Sequence, residues 1–285
     1  MCVNHSYFLG TDKPEVKVKW LLQSDVFSEK LELLTDAITE QGMEYKIVKY
    51  VPFQDNEYHV LSQDDCVVSF GSINFINQVK RNGWTPNVWL NEKALECTTY
   101  YSYYGKYLIN QFYTILPFAE FQRRKKEFFA GRDGLFIRPN SNMKEFAGGV
   151  FYRENFESDE AHSLRYSDIE PSTLIIIAPP EYIHSEWRFV IADRKAVTWS
   201  RYKTDMAYLP SPNAPQEAID LANEIAQVEW RPSNVFIVDI GMTGRGKFGL
   251  IEIGAFNCAG LYMCDRSLIV KEISKVALEE YEETQ

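Results

Sequence analysis

The chain has 285 residues, 45% of them apolar and 14% aromatic, so it lies outside the low-hydrophobicity range of disordered chains and is long enough for two or three packed units around a cleft. Lys and Arg number 30 against 40 Asp and Glu, and the net charge of −10 argues against sequence-independent binding along a nucleic-acid backbone, which needs a basic face. Five cysteines without C-x-x-C spacing argue against a disulfide framework or a structural zinc site, and neither an export signal nor an apolar run of about 18 residues is seen, so a soluble chain of the reducing cytoplasm, without a membrane partner, is expected.

In chain order, VKVKWLL (16–22) reads as a strand. A helix follows, with Leu31, Leu34 and Ile38 at helical spacing and Gly42 as its stop. YKIVKYV is the next strand, CVVSFGS (66–72) a short buried one, SINFINQVKRNG a helix and NVWLN another strand. This alternation predicts an open, mostly parallel α/β domain within residues 1–95. The aromatic-rich stretch CTTYYSYYGKYLINQFYTILPFAEFQRRKKEFF predicts a helical bridge over 96–130, its tyrosines engaged in packing. Its cluster Arg123, Arg124, Lys125 and Lys126 reads as a solvated helix face. From 131 to 285 the pattern turns to strands separated by Gly, Pro and Asn turns, a predominantly antiparallel sheet. Two helices accompany it, PQEAIDLANEIAQVEW and a C-terminal one with Leu268, Ile269, Ile273, Val276 and Ala277 in one stripe.

The chemistry concentrates in that last part. Asp239 and Glu252 each sit in a strand otherwise built for burial, on either side of the turn GMTGRGKFG, so adjacent antiparallel strands bring both onto one face. Buried carboxylates need partners: either a hard divalent cation such as Mg²⁺ shared between them, or a separate Arg or Lys for each across the sheet. FIRPNSNMKEFAGG places Arg138 at a strand end and Lys144 in a loop closed by Gly148 and Gly149, the composition of a flap over phosphates. In EWRFVI, Glu186 and Arg188 alternate on one strand face, an arginine fork beside a carboxylate. LIIIAPPEYI is an apolar strand broken by two prolines, a hinge spanning Ile176 to Glu181. Ser200 and Tyr202 follow the E-x-R strand and are candidates to face an acceptor, whereas Cys258 and Cys264 read as small buried residues and His184 as a surface residue beside the hinge.

Taken in order from about residue 130 to 265, these pieces resemble the ATP-grasp superfamily. FIRP in place of F-x-K-P, with EWRF and E-I-x-x-F-x-x-A-G-L-Y, resembles the arginine-for-lysine group common in bacteriophages, which would place the chain in a host cytoplasm. The resemblance implies an ATP-grasp fold of α/β and α+β parts behind an N-terminal open α/β domain. It also implies an ATP- and Mg²⁺-dependent ligase joining the carboxylate of an amino acid, peptide or protein to an amine through an acyl phosphate. It casts Arg188 and Lys144 as catalytic, and Arg138, Lys144, Ile177, Ala178, Glu181, Glu186 and Arg188 as nucleotide-binding. Asp239 and Glu252 would be metal ligands. One position departs from the pattern: Gly254 stands where many relatives carry the Asn of E-x-N, and Asn257 is the candidate to reach the ion instead. Loss of that ligand would make the chain a nucleotide-gated binding protein, and a phosphotransferase is the further alternative.

Overall fold

The computed structural model describes residues 16–27, 30–52, 54, 61–143, 145–156, 169–205 and 207–285. Lys144 and Cys2 lie outside that set. The first sheet holds β1 (Val18–Gln23), β2 (Glu44–Val48), β3 (Cys66–Phe70) and β4 (Thr85–Asn87), all parallel, in the order β2-β1-β3-β4. Helices α1 (Glu32–Glu40) and α2 (Ile73–Val79) make the crossovers, and Gly42 and Gly83 follow them with φ of 70° and 73°, a left-handed conformation that stops a helix cheaply only at glycine. Both faces of β1 are covered: Val18, Trp20 and Leu22 pack in one core cluster and Leu21 in the other. The strand expected at NVWLN is the shorter β4 just before it, ending at Asn87, whose amide donates to the carbonyl of Val79.

The segment read as an all-helical bridge contains α3 (Cys97–Tyr104), then β5 (Thr114–Pro117), then α4 (Phe118–Phe128). β5 is the edge of a second sheet, with β6 (Gly134–Pro139), β7 (Gly149–Tyr152) and β8 (Leu174–Ala178), antiparallel in the order β5-β8-β6-β7. Phe121 and Phe129 of the α4 segment pack with Leu135, Ile137, Ile175 and Ile177 on one face of this sheet. The single antiparallel sheet expected from sequence is therefore two. The other consists of β9 (Ile183–Ala192), β10 (Lys195–Thr204), β11 (Ala207–Ser211), β12 (Val235–Thr243) and β13 (Phe248–Ala255), in the order β11-β10-β9-β12-β13.

Strand alternation divides this five-stranded sheet between two cores. Trp187, Phe189, Ile191, Phe236, Val238 and Ile240 pack on the face with α5 (Gln216–Ala226). Val190, Ala192, Val235 and Ile237 pack on the opposite face, in a cluster that also takes in the first sheet and α6 (Arg266–Glu283). The free edge of β13 is covered by the chain after α3: the N–H of Ile109 donates to the carbonyl of Leu250 at 2.9 Å. Gly249 permits that approach, since a Cβ there would lie 2.6 Å from the Ile109 Cα. Among the described residues no helix is long and apolar enough to cross a membrane.

Candidate active site

The face of the five-stranded sheet that carries Val190 and Ile237 into the core becomes polar toward the hinge. In register, Arg188 of β9 stands opposite Asp239 of β12, which on its other side stands opposite Glu252 of β13. A bulge makes this row possible. Between the pairs Asp239–Glu252 and Ile240–Leu250, strand β13 carries one extra residue, Ile251, so Leu250 enters the core while Glu252 points out of it. Arg138, at the end of β6, reaches across from the second sheet.

Each carboxylate has its own guanidinium. Arg188 grips Asp239 in a bidentate fork, Nε to Oδ1 at 2.9 Å and Nη2 to Oδ2 at 2.7 Å, and its Nη1 donates to the carbonyl of Gly260 at 3.0 Å. Arg138 donates from Nη2 to Glu252 Oε1 at 2.9 Å. The row runs plus, minus, minus, plus, and the flanking arginines offset the repulsion between neighbouring carboxylates. Of the two pairings left open by the sequence, separate arginines are thus present. Burial pushes the Asp239 carboxyl above its ordinary range, and the Arg188 guanidinium pulls it back. Burial likewise works against the charge on Arg188, but Asp239 overcomes it and holds the guanidinium protonated. The short bidentate geometry fixes this pair as ionised.

Glu186 shares the face of Arg188, as its spacing predicts, but the carboxylate beside that arginine is Asp239. Glu186 instead accepts from the Tyr202 hydroxyl at 2.6 Å and from Lys203 Nζ at 2.8 Å. Burial, with Asp239 and Glu186 nearby, raises the Tyr202 phenol well above its ordinary value, so it stays a donor. Its ring stacks on Tyr262 at 4.9 Å, and the Arg188 guanidinium lies 5.6 Å and 5.1 Å from the two ring centres. Ser200 does not face the site: fully buried, it donates to the carbonyl of Arg201 and accepts from the N–H of Met263. Tyr262 is a site residue that sequence reasoning misses, because its role depends on a left-handed backbone (φ 49°) that no local residue pattern announces.

Asn257 is not at the carboxylates. It is fully buried, accepts from the N–H of Trp89 at 2.6 Å and donates to the carbonyl of Ser69 at 2.6 Å, tying the loop after β13 to the first sheet. Both ends of its amide are engaged in that structural role. Near Gly254 the amide present is Asn142, from the flap, 3.7 Å from where a Cβ on that glycine would lie. Ile177 also departs from expectation, its side chain packing with Leu135 and Phe121 under α4, while the neighbouring Ile176 joins the core on the other face. Ile177 and Ala178 line a separate hollow of about 470 Å³ with Arg124, Phe128 and Arg132, to which β9, β12 and β13 contribute nothing. Glu181 is exposed in the hinge. Arg123 and Arg124 pair with Glu120 and Glu127 on the solvent face of α4, as the sequence predicts.

The flap over the row is anchored at its base. Asn140 accepts from the N–H of Thr98 at 2.9 Å and its carbonyl accepts from the N–H of Cys97, capping α3 from outside. Gly148 lets the returning flap pass Arg138, where a Cβ would come within 2.9 Å of the arginine's own Cβ. Below Arg138, Tyr100 is fully buried with its hydroxyl 3.4 Å from Cys97 Sγ, and burial raises its phenol. Among the described residues no group of three His, Cys, Asp or Glu gathers as a metal site. The donor set therefore suits a cation that brings most of its shell as water and phosphate oxygen, which is the habit of Mg²⁺, with one or two carboxylates from the protein.

A cleft between two antiparallel sheets, with a cationic strand on one side and paired carboxylates on the other, defines a nucleotide-dependent ligase architecture. The chain belongs to the ATP-grasp family: a family model described as an ATP-grasp domain, the second family of its clade, matches residues 119–271. Among solved structures, D-cycloserine synthetase DcsG is similar at a TM-score of 0.60 and 13% identity, covering 91% of this chain and 99% of that one. D-alanine–D-alanine ligase from Bacillus anthracis is similar at 0.60 and 12%, covering 95% and 100%. The ATP-grasp ligase PsnB, complexed with a minimal precursor, is similar at 0.55 and 10%, covering 92% and 100%. At these identities the likeness is one of fold. No curated protein matches in sequence.

Proposed function

We propose that the chain is an ATP-dependent ligase that joins a carboxylate to an amine. The observation that carries this reading is the row Arg188, Asp239, Glu252, Arg138, closed from two sheets across one cleft. The ATP-grasp relationship supports ATP as co-substrate, and the named neighbours support an amino acid or peptide as the other. Arg138 in FIRP supports grouping the chain with the arginine-for-lysine ligases of bacteriophages.

On this reading the triphosphate lies between the sheets. Arg138 and the flap lysine Lys144 hold its oxygens, and hinge backbone groups around residues 178–181 meet the adenine edge. Mg²⁺, held by Asp239 and Glu252, would neutralise charge on the phosphates. Arg188 has five N–H groups, of which three are engaged, leaving one on each Nη for the transferred phosphoryl group or the substrate carboxylate. A carboxylate oxygen attacks the γ-phosphorus as the bond to the ADP oxygen breaks. The amine nitrogen then adds to the acyl carbon, phosphate departs, and the nitrogen loses its proton. The protein's contribution is positioning and charge neutralisation more than covalent chemistry.

The test is thermal unfolding with and without Mg-ATP on the wild type and on Glu252→Ala. A ligand at ~100 times its Kd adds roughly 2.7 kcal/mol, a readily measured rise in midpoint. A magnesium-dependent rise that is lost in Glu252→Ala is expected, and no rise in the wild type at millimolar ATP or GTP would overturn the proposal. The second reading is a nucleotide-binding protein without turnover, favoured by the engagement of both Asp239 oxygens with Arg188. A nucleotide-dependent rise without ADP release across amine and carboxylate panels would select it.

A further inference from the structure

The cleft beside the carboxylates holds about 590 Å³, enough for a small molecule beyond the nucleotide phosphates. Its position on the sheet gives it a role. β9 begins at Ile183, just after the hinge, and pairs there with the end of β12, so the hinge lies beyond the C-terminal side of Asp239. The residues of β12 and β13 that line the cleft, Ile237, Gly254 and Ala255, extend from the carboxylate pair the other way. The opposite wall comes from the first sheet, through Val26 and Phe27 after β1 and Ile73 after β3. Those are carboxyl ends of parallel strands, the edge at which open α/β sheets bind their ligands. This is the substrate half of the cleft, away from the adenine hinge.

Its chemistry is lopsided. Among the described lining residues the charged ones are Arg188, Asp239 and Glu252, and both carboxylates are already paired. The remainder is mostly apolar or aromatic: Phe27, Ile73, Met143, Tyr208 and Tyr262 form the walls. The aromatic wall is rigid. Arg266, buried, donates to the carbonyls of Leu261, Tyr262 and Cys264, holding Tyr262 in its left-handed conformation. Tyr262 is packed between the stacked ring of Tyr202 and the edge-on ring of Tyr208, whose centre is 5.8 Å away. A strained residue held by three buried hydrogen bonds is a fixed surface, suited to selecting a shape.

Resting on the ligase reading above, we propose that this half of the cleft takes a carboxylate substrate whose neighbouring side chain is aromatic. The carboxylate faces the two open N–H groups of Arg188, and the ring lies against Tyr208, Phe27 and Ile73. An additional ammonium or carboxylate on the substrate would meet no unpaired opposite charge among the described lining residues, and its desolvation would go uncompensated. The site therefore discriminates against charged side chains as much as it favours aromatic ones.

The experiment measures binding to the full chain in saturating Mg-AMPPNP, by calorimetry, for N-acetyl-phenylalanine, N-acetyl-glutamate and N-acetyl-lysine. The phenylalanine derivative is expected to bind at least about tenfold more tightly than either charged one. Tyr208→Ala removes one aromatic partner and is expected to weaken it by roughly three- to tenfold, the range of one aromatic pair. Tyr208 is 60% exposed on an edge strand, so its loss spares the fold. Equal or tighter binding of a charged probe, no binding of any probe, or an unchanged affinity in Tyr208→Ala would overturn the inference. The nucleotide's own effect on the unfolding midpoint is recorded in the same samples: if it is present while aromatic preference is absent, this inference alone fails, and if it is absent, the ligase reading fails first.

Discussion

Replacing Arg188 with methionine keeps the bulk of the side chain and removes the charge, leaving Asp239 in place with 4% of its surface exposed. Both carboxylate oxygens lose their donors, at 2.9 Å and 2.7 Å, and the carbonyl of Gly260 loses its own. Breaking a buried pair by removing one partner costs about 3–5 kcal/mol. At about 2 °C per kcal/mol for a chain of this size, the unfolding midpoint should fall by roughly 6–10 °C. The loss should depend on pH. In the variant nothing opposes the burial that already raises the Asp239 carboxyl, so its folded pKa rises further above the unfolded value. The folded state then binds more protons than the unfolded one between those two values, and stability falls as pH rises through that window. The gap between wild type and Arg188→Met should therefore be smaller at pH 5 than at pH 8. Adding Asp239→Leu removes the stranded carboxylate and should recover most of the lost midpoint, because well-packed apolar replacements of buried pairs are often neutral. Differential scanning calorimetry at the two pH values decides. A gap that does not change with pH, or a double variant as unstable as the single one, would refute the reasoning.

Asn257→Ala should lower the midpoint by several degrees, since it strands the buried N–H of Trp89 and carbonyl of Ser69 at about 1–3 kcal/mol each, while Mg-ATP affinity, titrated on the folded protein, changes less than about threefold. A selective loss of magnesium dependence would instead return Asn257 to the ion. Gly249→Ala and Gly254→Ala should differ sharply under urea titration. The first drives a Cβ to 2.6 Å from the Ile109 backbone and should cost about 1–3 kcal/mol, whereas the second meets nothing closer than 3.7 Å and should be nearly neutral.

What the sequence made legible was what short-range periodicity encodes. The parallel sheet, the stripe on the last helix and the co-facial Glu186 and Arg188 all follow from alternation or helical spacing. Partner choice does not. Arg188 meets Asp239 and not Glu186 because β9 lies between β10 and β12, an order set by segments far apart in the chain. The bulge at Ile251, which aims Glu252, is one residue in a strand whose composition gives no sign of it. The sequence does not distinguish Ile177 from Ile176, because a one-residue shift in strand phase reverses every side chain and LIII is apolar at both phases. β5 has only four residues, too few to show a period, and becomes a strand only by pairing with residues 174–177. Asn257 carries a plausible metal-ligand chemistry, but a buried amide flanked by backbone groups is as readily a structural clasp.

The last helix, α6, is joined to the beginning of the chain. Trp20 donates to Ser274 across 254 residues of sequence, the Tyr281 hydroxyl donates to the carbonyl of Asp64, and Trp89 reaches Glu280. The first sheet thus has one of its faces closed by the final turns of the polypeptide. On the ribosome that face waits, apolar and uncovered, until translation is nearly complete, and the nascent chain depends on whatever shields it in the interval.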